Sequence, residues 1–330
     1  MATKETIDKI IEYCKTLLEL IGHTPILRLH KVTEGIEVNV LVKLEFLNPS
    51  GSYKDRMALR MFEDATKAGR LKPGYTVVES SSGNTAIALA FVGGVKGYKV
   101  RIYAPDEVWK EEKKKILSRF GADIEMVLLV ETEVARKAGV HGARVEIPGR
   151  VKCKEMEEKN PDMWWARQFS NPSNVLAHND LGREILEQTS GNIDVYVSSI
   201  GTGGNFLGVA QVLKDKIHHV KCIAAEPGGW PGWIDPLSPE AKFVPGITGG
   251  IIEQIRESML IDDVVFVSND DARNMAYKLS REEGMFCGMS TGANVFVAIN
   301  EAKKLGPGKN VVTVAVDRGD RYFSDERYIT

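Results

Sequence analysis

The sequence predicts an α/β protein with mostly parallel, buried strands. Short apolar runs rich in valine and isoleucine alternate with amphipathic stretches along most of the 330 residues. Strands that alternate with helices in this way form parallel sheets that are covered by helices on both faces. The predicted strands are 38–46, 76–79, 99–103, 123–127, 195–198, 222–225, 264–267 and 311–316, and the predicted helices are 54–68, 84–97, 109–119, 204–215, 269–283 and 292–304.

Residue spacing supports helices at 5–20 and 54–68. Both stretches place apolar side chains at helical spacing among polar ones, and Gly69 ends the second pattern. The stretch 128–165 is rich in charge and has no clear period, so it predicts no regular element. Turn-forming residues at 170–174 predict a boundary between two lobes.

The composition is that of an ordinary globular protein. The chain is 43% hydrophobic and 27% charged, and 43 basic against 45 acidic residues leave a net charge of −2. No bulk field would attract nucleic acid or an anionic membrane. Any site for an anion must therefore be local, and we expect no nucleic-acid partner.

The sequence shows no membrane or metal signature. The longest apolar run, 86–95, falls short of the ~20 residues that a membrane span needs, and the start of the chain has no apolar signal region. The four cysteines lie far apart, without metal-ligand spacing or a paired framework. We expect a protein of the reducing cytoplasm with no membrane partner and no metal site.

Residues 48–56, Asn-Pro-Ser-Gly-Ser-Tyr-Lys-Asp-Arg, place one lysine at the start of a helix. Pro49 lacks an N–H and Gly51 frees the backbone, so the residues before Lys54 favour a turn. The positive end of the helix dipole disfavours a charged amine, and a neutral amine is a nucleophile that can form a Schiff base. From these residues alone, a solvated surface lysine is an equally good interpretation.

Residues 201–205, Gly-Thr-Gly-Gly-Asn, join the predicted strand 195–198 to a helix. The backbone N–H groups of such a loop converge on an anion, and the helix N-terminus adds about half a positive charge. A dinucleotide-binding fingerprint does not fit, because Phe206 stands where the last glycine is required, and no P-loop motif occurs. A tight turn without a ligand is the alternative.

Two more polar blocks precede predicted helices. Residues 81–85, Ser-Ser-Gly-Asn-Thr, follow the strand 76–79, and Ser290 precedes the helix near 292. A helix N-terminus is a favourable place for a carboxylate. On the residues alone, N-caps by Ser82, Asn84 or Ser290 explain these blocks as well.

Together the blocks resemble the cysteine synthase family, which includes O-acetylserine sulfhydrylase and cystathionine β-synthase. The resemblance covers essentially the whole chain, because the blocks follow the family's order. They lie at 48–56, 81–85, 201–205 and 288–293, with shorter matches at 21–25, 168–174 and 317–322.

The resemblance implies the fold of type II pyridoxal-phosphate enzymes, similar to the tryptophan synthase β subunit. Two lobes, each a mostly parallel twisted sheet flanked by helices, would enclose the active site between them. Residues 47–175 would form the lobe with the Schiff-base lysine and residues 81–85, called the carboxylate loop below. Residues 1–46 and 176–330 would form the other lobe, with the phosphate-binding residues 201–205, called the glycine loop below, and the serine that faces the pyridine nitrogen.

The resemblance also implies a pyridoxal 5′-phosphate site. Lys54 would hold the cofactor as a Schiff base and act as the catalytic base, Asn84 would bind the ring hydroxyl, and Ser290 would face the pyridine nitrogen. The phosphate would be bound by Gly201, Thr202, Gly203, Gly204 and Asn205, where the family usually has threonine at the last position. The implied substrate-binding residues are Ser81, Ser82, Gly83, Thr85, Gln168 and Gly246.

The activity that the resemblance implies is β-replacement on an activated L-serine, either O-acetylserine or O-phosphoserine. Loss of the β-substituent would give an α-aminoacrylate, and sulfide would add to it to form L-cysteine. Further expected partners are a second copy in a homodimer and the tail of a serine acetyltransferase.

Four alternatives stay open. They are cystathionine β-synthase with serine and homocysteine, a diamino-acid synthase using phosphoserine, a serine or threonine dehydratase, and a non-catalytic binding protein. The dehydratase motifs are absent, and Lys54 is present, which argues against a binding protein. A phosphoserine enzyme would need an extra cation near the pocket. Lys242, Arg318 and Arg321 are candidates, although we expect each to be a surface charge.

Overall fold

Residues 14–105, 111–127, 147–227, 254–255, 257–325 and 328 are described by the structure, a computed structural model. The strands in this part of the chain are β1 (Ile26–Arg28), β2 (Asn39–Lys43), β3 (Thr76–Ser80), β4 (Lys99–Pro105), β5 (Asp123–Val127), β6 (Met163–Trp165), β7 (Val195–Ser199), β8 (Lys221–Pro227), β9 (Asp263–Val267) and β10 (Asn310–Val314). The α-helices are α1 (Lys54–Lys67), α2 (Asn84–Lys96), α3 (Glu111–Arg119), α4 (Ile147–Lys159), α5 (Ser173–Gln188), α6 (Gly204–Lys216), α7 (Asn269–Glu282) and α8 (Met289–Ala302). Short 3-10 helices lie at Leu17–Leu20, Glu45–Leu47 and Gly319–Arg321.

The strands form two separate sheets. The larger has the order β1-β2-β10-β7-β8-β9, and the smaller has the order β5-β4-β3-β6. All pairs in both sheets are parallel except β1 with β2. The predicted α/β class with mostly parallel strands is therefore confirmed.

Both faces of the larger sheet are buried. Along β7, Val195 and Val197 belong to the hydrophobic core on one face, whereas Tyr196 belongs to the core on the other. Val311 and Val312 of β10 divide in the same way. Successive side chains of a strand point to opposite faces, so an apolar run of this kind requires cover on both sides.

The eight predicted strands are all present, but four elements were missed. β1 and β6 span only three residues each, too few for a detectable period. α4 falls in the charged stretch 128–165, where no element was predicted. α5 begins inside the predicted turn 170–174, with Pro172 as its N-cap, and no element was predicted for the rest of its length.

Part of the predicted helix 5–20 is wrong. Residues 5–13 lie outside the described part, and residues 14–16 are not helical. The side chain of Thr16 caps the short 3-10 helix Leu17–Leu20 by accepting from the Leu18 N–H. The hydroxyl of Thr16 thus offers the backbone a local alternative to a continuous helix.

The lobe division stays a prediction. The smaller sheet lies within 47–175. The larger sheet takes β1 and β2 from the range 1–46 and its other strands from 176–330. The predicted boundary after residue 175 falls inside α5. None of the helices in the described ranges is long and apolar enough to cross a membrane.

A buried ionic cluster links β2, α1 and α5 behind Lys54. Arg56 binds Glu45 at 2.7 Å and Glu184 at 2.6 Å, and Glu184 also binds Lys43 at 2.7 Å. Burial alone would raise the pKa of Glu184, but the hydrogen bonds and charges of Arg56 and Lys43 lower it to about 2. The cluster holds the first turn of α1 against two distant segments of the chain.

We expect Glu184→Gln to destabilise the protein by about 3–5 kcal/mol at neutral pH, because the buried Lys43 loses its ion pair and Arg56 keeps only Glu45. The Glu184 carboxylate stabilises the folded state above its unfolded pKa of 4.5, and this stabilisation is lost as the pH falls towards 2. The difference in unfolding free energy between wild type and variant, measured by urea denaturation, should therefore shrink as the pH is lowered.

Asp180→Asn is the control for this measurement. Asp180 lies on the same helix with its side chain 51% exposed, and its ion pairs with Arg60 and Arg183 are at the surface. Exposed pairs contribute at most about 1 kcal/mol. Equal losses in the two variants would show that the buried cluster has no special weight.

Candidate active site

The predicted site residues lie where helices begin. Lys54 and Asn84 are the first residues of α1 and α2, Gly204 is the first of α6, and Ser290 is the second of α8. α2 follows β3, and α6 follows β7. The carboxyl ends of parallel strands are where α/β proteins bind their ligands, and helix N-termini there favour anions.

Lys54 is buried and reaches the glycine loop. The residue is 7% exposed, and its Nζ lies 3.2 Å from the Thr202 Oγ1. The Tyr53 ring lies beside the amine, with 5.0 Å from Nζ to the ring centroid. The interpretation of Lys54 as a solvated surface lysine is therefore wrong.

The ring packed behind Tyr53 is uncharged. The centroids of the Tyr53 and His178 rings are 5.4 Å apart in an edge-to-face contact. Burial, together with the nearby Lys54 charge, lowers the pKa of His178 to about 3. His178 is thus neutral at physiological pH and adds no positive charge beside the amine.

A continuous hydrogen-bonded path connects the glycine loop to the carboxylate loop. Asn174 Nδ2 donates to the Thr202 Oγ1 at 3.0 Å and to the Gln168 carbonyl at 2.9 Å. Thr85 Oγ1 donates to Gln168 Oε1 at 2.6 Å, and Gln168 Nε2 donates to the Ser80 carbonyl at 2.7 Å. Lys54, Thr202, Gln168 and Thr85 are thereby brought together, as the resemblance implies.

Asn174 is a link that the sequence analysis did not assign. It is fully buried at the start of α5, and it connects Thr202 with Gln168. Its place in the matched stretch 168–174 was the only signal that could have pointed to it. Gly204 is required beside it, because a Cβ at that position would overlap the Asn174 side chain.

Glu79 organises the segment that carries Gln168 and was also missed. Its buried carboxylate accepts from the N–H groups of Gln168 and Ser80, at 2.9 and 2.8 Å, and from the Trp165 indole at 3.0 Å. Burial raises the pKa of Glu79, although these hydrogen bonds oppose the shift. A charged residue inside the apolar strand β3 was a signal that could have revealed it.

The carboxylate loop differs from a simple N-cap. The N-cap of α2 is Gly83, which has no side chain, so the N-cap alternatives for Ser82 and Asn84 are wrong. Ser81 and Thr85 are buried, and the Ser81 Oγ accepts from the Gly83 N–H at 3.3 Å. The hydroxyls of this block stand beside the first turn of α2, where the dipole favours a carboxylate.

The glycine loop has the shape of an anion cradle. Gly203, the N-cap of α6, has a φ of 92°, which only glycine adopts easily. Gly201 begins the loop, and no heavy atom of the described residues lies within 4 Å of an ideal Cβ there. Asn205 Oδ1 accepts from the hydroxyls of Tyr196 and Ser198, both at 2.9 Å. Its Nδ2 is a buried donor without a hydrogen-bond partner among the described residues.

Glu226, at the end of β8, lies beside the glycine loop. It is buried, and it accepts a hydrogen bond from the backbone of Ile200, the residue before the loop. Burial raises the pKa of Glu226 to about 9. The carboxyl group is therefore protonated at neutral pH and does not repel an anion in the loop.

Ser290 is not an N-cap. The N-cap of α8 is Gly288, and the Ser290 hydroxyl has no hydrogen-bond partner within the described ranges. The Gly288 N–H donates to the Asp317 carbonyl at 3.1 Å, and Asp317 also forms a backbone bridge with Ser52. The start of α8 therefore lies close to the turn that precedes Lys54.

The tail block contacts Asn84 directly. Asn84 Nδ2 donates to the Asp317 carboxylate at 2.6 Å, and Arg321 donates to Asn84 Oδ1. Arg321 is only 2% exposed, so its predicted surface position is wrong. Arg318 does lie at the surface, where it pairs with Asp320. Lys242 and Gly246 lie outside the described residues.

Comparison with known proteins identifies the family. The family model for pyridoxal-phosphate dependent enzymes matches residues 17–317. The chain belongs to this family. The predicted cofactor and the type II fold are therefore confirmed, whereas the roles of single residues stay predictions.

Similar proteins of known sequence or structure cover almost the whole chain. A cysteine synthase of Staphylococcus aureus is 38% identical over 314 residues, 94% of this chain and 96% of that protein. O-acetyl serine sulfhydrylase isoform 3 of Entamoeba histolytica has a TM-score of 0.80 at 34% identity and covers 97% of this chain and 92% of that one. An O-acetylserine dependent cystathionine β-synthase of Helicobacter pylori has a TM-score of 0.80 at 29% identity. The match covers 96% of this chain and 100% of that one.

The residues present fit pyridoxal phosphate. The loop 201–205 offers glycine N–H groups, a helix N-terminus and the partnerless Asn205 amide to a phosphate, and Glu226 is neutral beside it. A buried lysine stands next to this loop. Where the structure describes the chain, it contains no cluster of three His, Cys, Asp or Glu side chains arranged for a metal ion.

The raised pKa of Glu226 predicts a pH-dependent stability. The folded carboxyl keeps its proton up to about pH 9 and the unfolded one only to about 4.5, so wild-type stability falls as the pH rises between these values. Glu226→Gln lacks this loss. The difference in melting temperature, Glu226→Gln minus wild type, should therefore increase from about pH 5 to pH 8.5. The same difference for Glu282→Gln, at an exposed position, should not change with pH. A melting-temperature difference for Glu226→Gln that does not change with pH would contradict the raised pKa of Glu226.

Proposed function

We propose that the protein is a cysteine synthase, which replaces the β-substituent of an activated L-serine with sulfide and forms L-cysteine with pyridoxal phosphate. The observation that carries the proposal is the buried Lys54 amine, 3.2 Å from the hydroxyl of the glycine loop. The similarity to cysteine synthases over 94% of the chain supports the substrate class.

Lys54 would hold the cofactor and move the α-proton of the substrate. When bound, pyridoxal phosphate supplies an electron-withdrawing ring that stabilises negative charge at the Cα of an amino acid. The Nζ of Lys54 takes the proton from Cα and later returns it, and the Thr202 hydroxyl orients the amine. Both residues are buried, which keeps bulk water away from the reacting carbon.

The carboxylate loop would orient the substrate. Ser81, Ser82, Gly83 and Thr85 stand at the first turn of α2, whose positive end attracts the α-carboxylate. Gln168 is tied to Thr85 and to the Ser80 carbonyl, so it is fixed relative to this loop. Orientation of this kind supplies a large part of the rate enhancement when two reactants must meet.

Ser290 would set how strongly the ring attracts electrons. A neutral hydroxyl leaves the pyridine nitrogen unprotonated, whereas an acidic partner would keep a proton on it. A ring that withdraws electrons only moderately does not stabilise negative charge at Cα for long, which favours prompt loss of the β-substituent. Ser290 is the second residue of α8, after the N-cap Gly288, so its hydroxyl is not needed to cap the helix.

Some coarser features are also proposals. The division into lobes 47–175 and 1–46 with 176–330 agrees with the positions of the two sheets. All four cysteines are free thiols, which suits the reducing cytoplasm.

Exposed apolar side chains such as Leu17 and Leu47 would suit a homodimer contact. Binding of a serine acetyltransferase tail follows only from the family resemblance.

Steady-state rates with O-acetylserine, O-phosphoserine and serine, each with sulfide and with homocysteine, test the reaction. We expect the highest kcat/KM with an activated serine and sulfide, and cysteine as the product. Arg321 places a positive charge beside Asn84, and a phosphoserine enzyme would need an extra cation near the pocket. O-phosphoserine is therefore one of the substrates to compare. The Lys54→Ala protein, loaded with cofactor, should lose at least about 1,000-fold in kcat, because the proton carrier is gone.

Other outcomes separate the alternatives. A preference for serine with homocysteine would indicate cystathionine β-synthase, and pyruvate release without a nucleophile would indicate a dehydratase. A wild type that takes up no pyridoxal phosphate, judged by the absence of visible absorption, would refute the enzyme proposal itself.

Substitutions at Ser290 test its role. Ser290→Ala should keep the cofactor and much of the activity, whereas Ser290→Asp should slow turnover strongly, because a carboxylate would hold a proton on the pyridine nitrogen. Neither change removes an N-cap, since Gly288 occupies that position, so melting temperatures should change little. An Asp variant with wild-type rate and absorption would show that Ser290 lies away from the ring.

A further inference from the structure

One guanidinium in the tail joins two loops of the site. The Nη1 of Arg321 donates to Asn84 Oδ1, at the start of the carboxylate loop's helix. Its Nη2 donates to the carbonyl of Ser50, in the turn before Lys54. A planar guanidinium can serve both acceptors at once, which the single ammonium of lysine cannot do with the same geometry.

The neighbouring carboxylate holds the other half of the Asn84 amide. Asp317 is fully buried, and its Oδ2 accepts from Asn84 Nδ2 at 2.6 Å and from the Tyr322 hydroxyl. A cation thus binds the amide oxygen, and an anion binds the amide nitrogen. Rotation of the amide by 180° would put Nδ2 against the donors of Arg321 and Oδ1 against a carboxylate, so only one orientation is stable.

The tail that carries these groups is itself anchored. The Arg318 N–H donates to the Gly51 carbonyl at 3.2 Å, and Asp317 forms a backbone bridge with Ser52. Farther along, the Ser324 N–H donates to Glu112 of α3 at 2.9 Å. Gly51 has a φ of 92°, and a Cβ there would come within 2.9 Å of Arg321 Nη2, so the turn leaves room for the guanidinium. These backbone contacts hold the tail, residues 317–324, against the turn before Lys54 and against α3.

We propose that Arg321 and Asp317 are positioning residues that fix the orientation of the Asn84 amide and thereby the contact of Asn84 with the cofactor's ring hydroxyl. The inference rests on the proposed function and on the contact of Asn84 with the ring hydroxyl that the family resemblance implies. Nδ2 carries two hydrogens, and Asp317 takes one of them. The Tyr322 hydroxyl also lies beside this amide, and with the cofactor bound the ring oxygen would take the second hydrogen in its place. A flipped amide would present its oxygen to the ring oxygen and repel it.

The test measures cofactor affinity and absorption in variants of the full chain. Arg321→Met and Asp317→Asn should each weaken pyridoxal phosphate binding about tenfold, the effect of losing one charged hydrogen bond. Both should shift the visible absorption maximum and lower kcat more than they change the KM for the amino acid. Arg321→Lys should keep the charge but recover only part of the affinity.

Arg318→Met is the matched control. Arg318 lies in the same tail, but its side chain is 55% exposed and pairs with Asp320 at the surface. We expect wild-type affinity, absorption and kcat. A loss equal to that of Arg321→Met would mean that any change in the tail disturbs the site, and it would overturn the proposal.

A double-mutant cycle separates positioning from mere stability. If Arg321 acts through Asn84, Arg321→Met should cause no further loss of affinity in an Asn84→Ala background. Losses that multiply would overturn the inference, and so would wild-type affinity of Asp317→Asn, the conservative variant that is least prone to unfold. Failure of the proposed function is distinguishable, because the wild type itself would then take up no cofactor.

Discussion

The active site depends on one contact, between the Lys54 amine and the Thr202 hydroxyl. α1 carries Lys54 and packs in the core of the smaller sheet, whereas Thr202 follows β7 of the larger sheet. The contact therefore places the lysine of α1, which packs in one core, at the glycine loop that follows a strand of the other sheet. Asn174 and Gln168 then connect this pair to the carboxylate loop.

Such burial is costly unless the polar groups are hydrogen-bonded. The Asn174 Nδ2 donations to Thr202 and Gln168 meet part of this requirement between the two loops, and Glu79 meets it for the backbone behind them. Several buried polar atoms stay without partners among the described residues, and two of them, Asn205 Nδ2 and one oxygen of Glu226, lie at the glycine loop. Partnerless buried groups of this kind concentrate at sites that take a ligand, which agrees with a phosphate in the loop.

The position of Lys54 is held from two sides by residues far away in sequence. On one side, Arg56 is bound by Glu184, 128 residues later in the chain. On the other side, the Ser50 carbonyl is bound by Arg321, 271 residues later. The first turn of α1 thus cannot shift without breaking a buried ion pair or the tail contact. The proposed role of Lys54 in moving a proton requires such constraint, since reaction rates depend steeply on the distance between the reacting groups.

The sequence by itself determined the α/β class, the eight longer strands, the lysine at a helix start and the glycine loop. Each of these depends on residues that are close together in the chain, where periodicity and turn chemistry act. Only the tertiary structure decided that Lys54 is buried, that Asn174 links two loops, and that Arg321 lies inside the site rather than at the surface. The contact of Arg321 with Asn84 spans 237 residues, and no local pattern encodes a pairing that exists only after both sheets have packed.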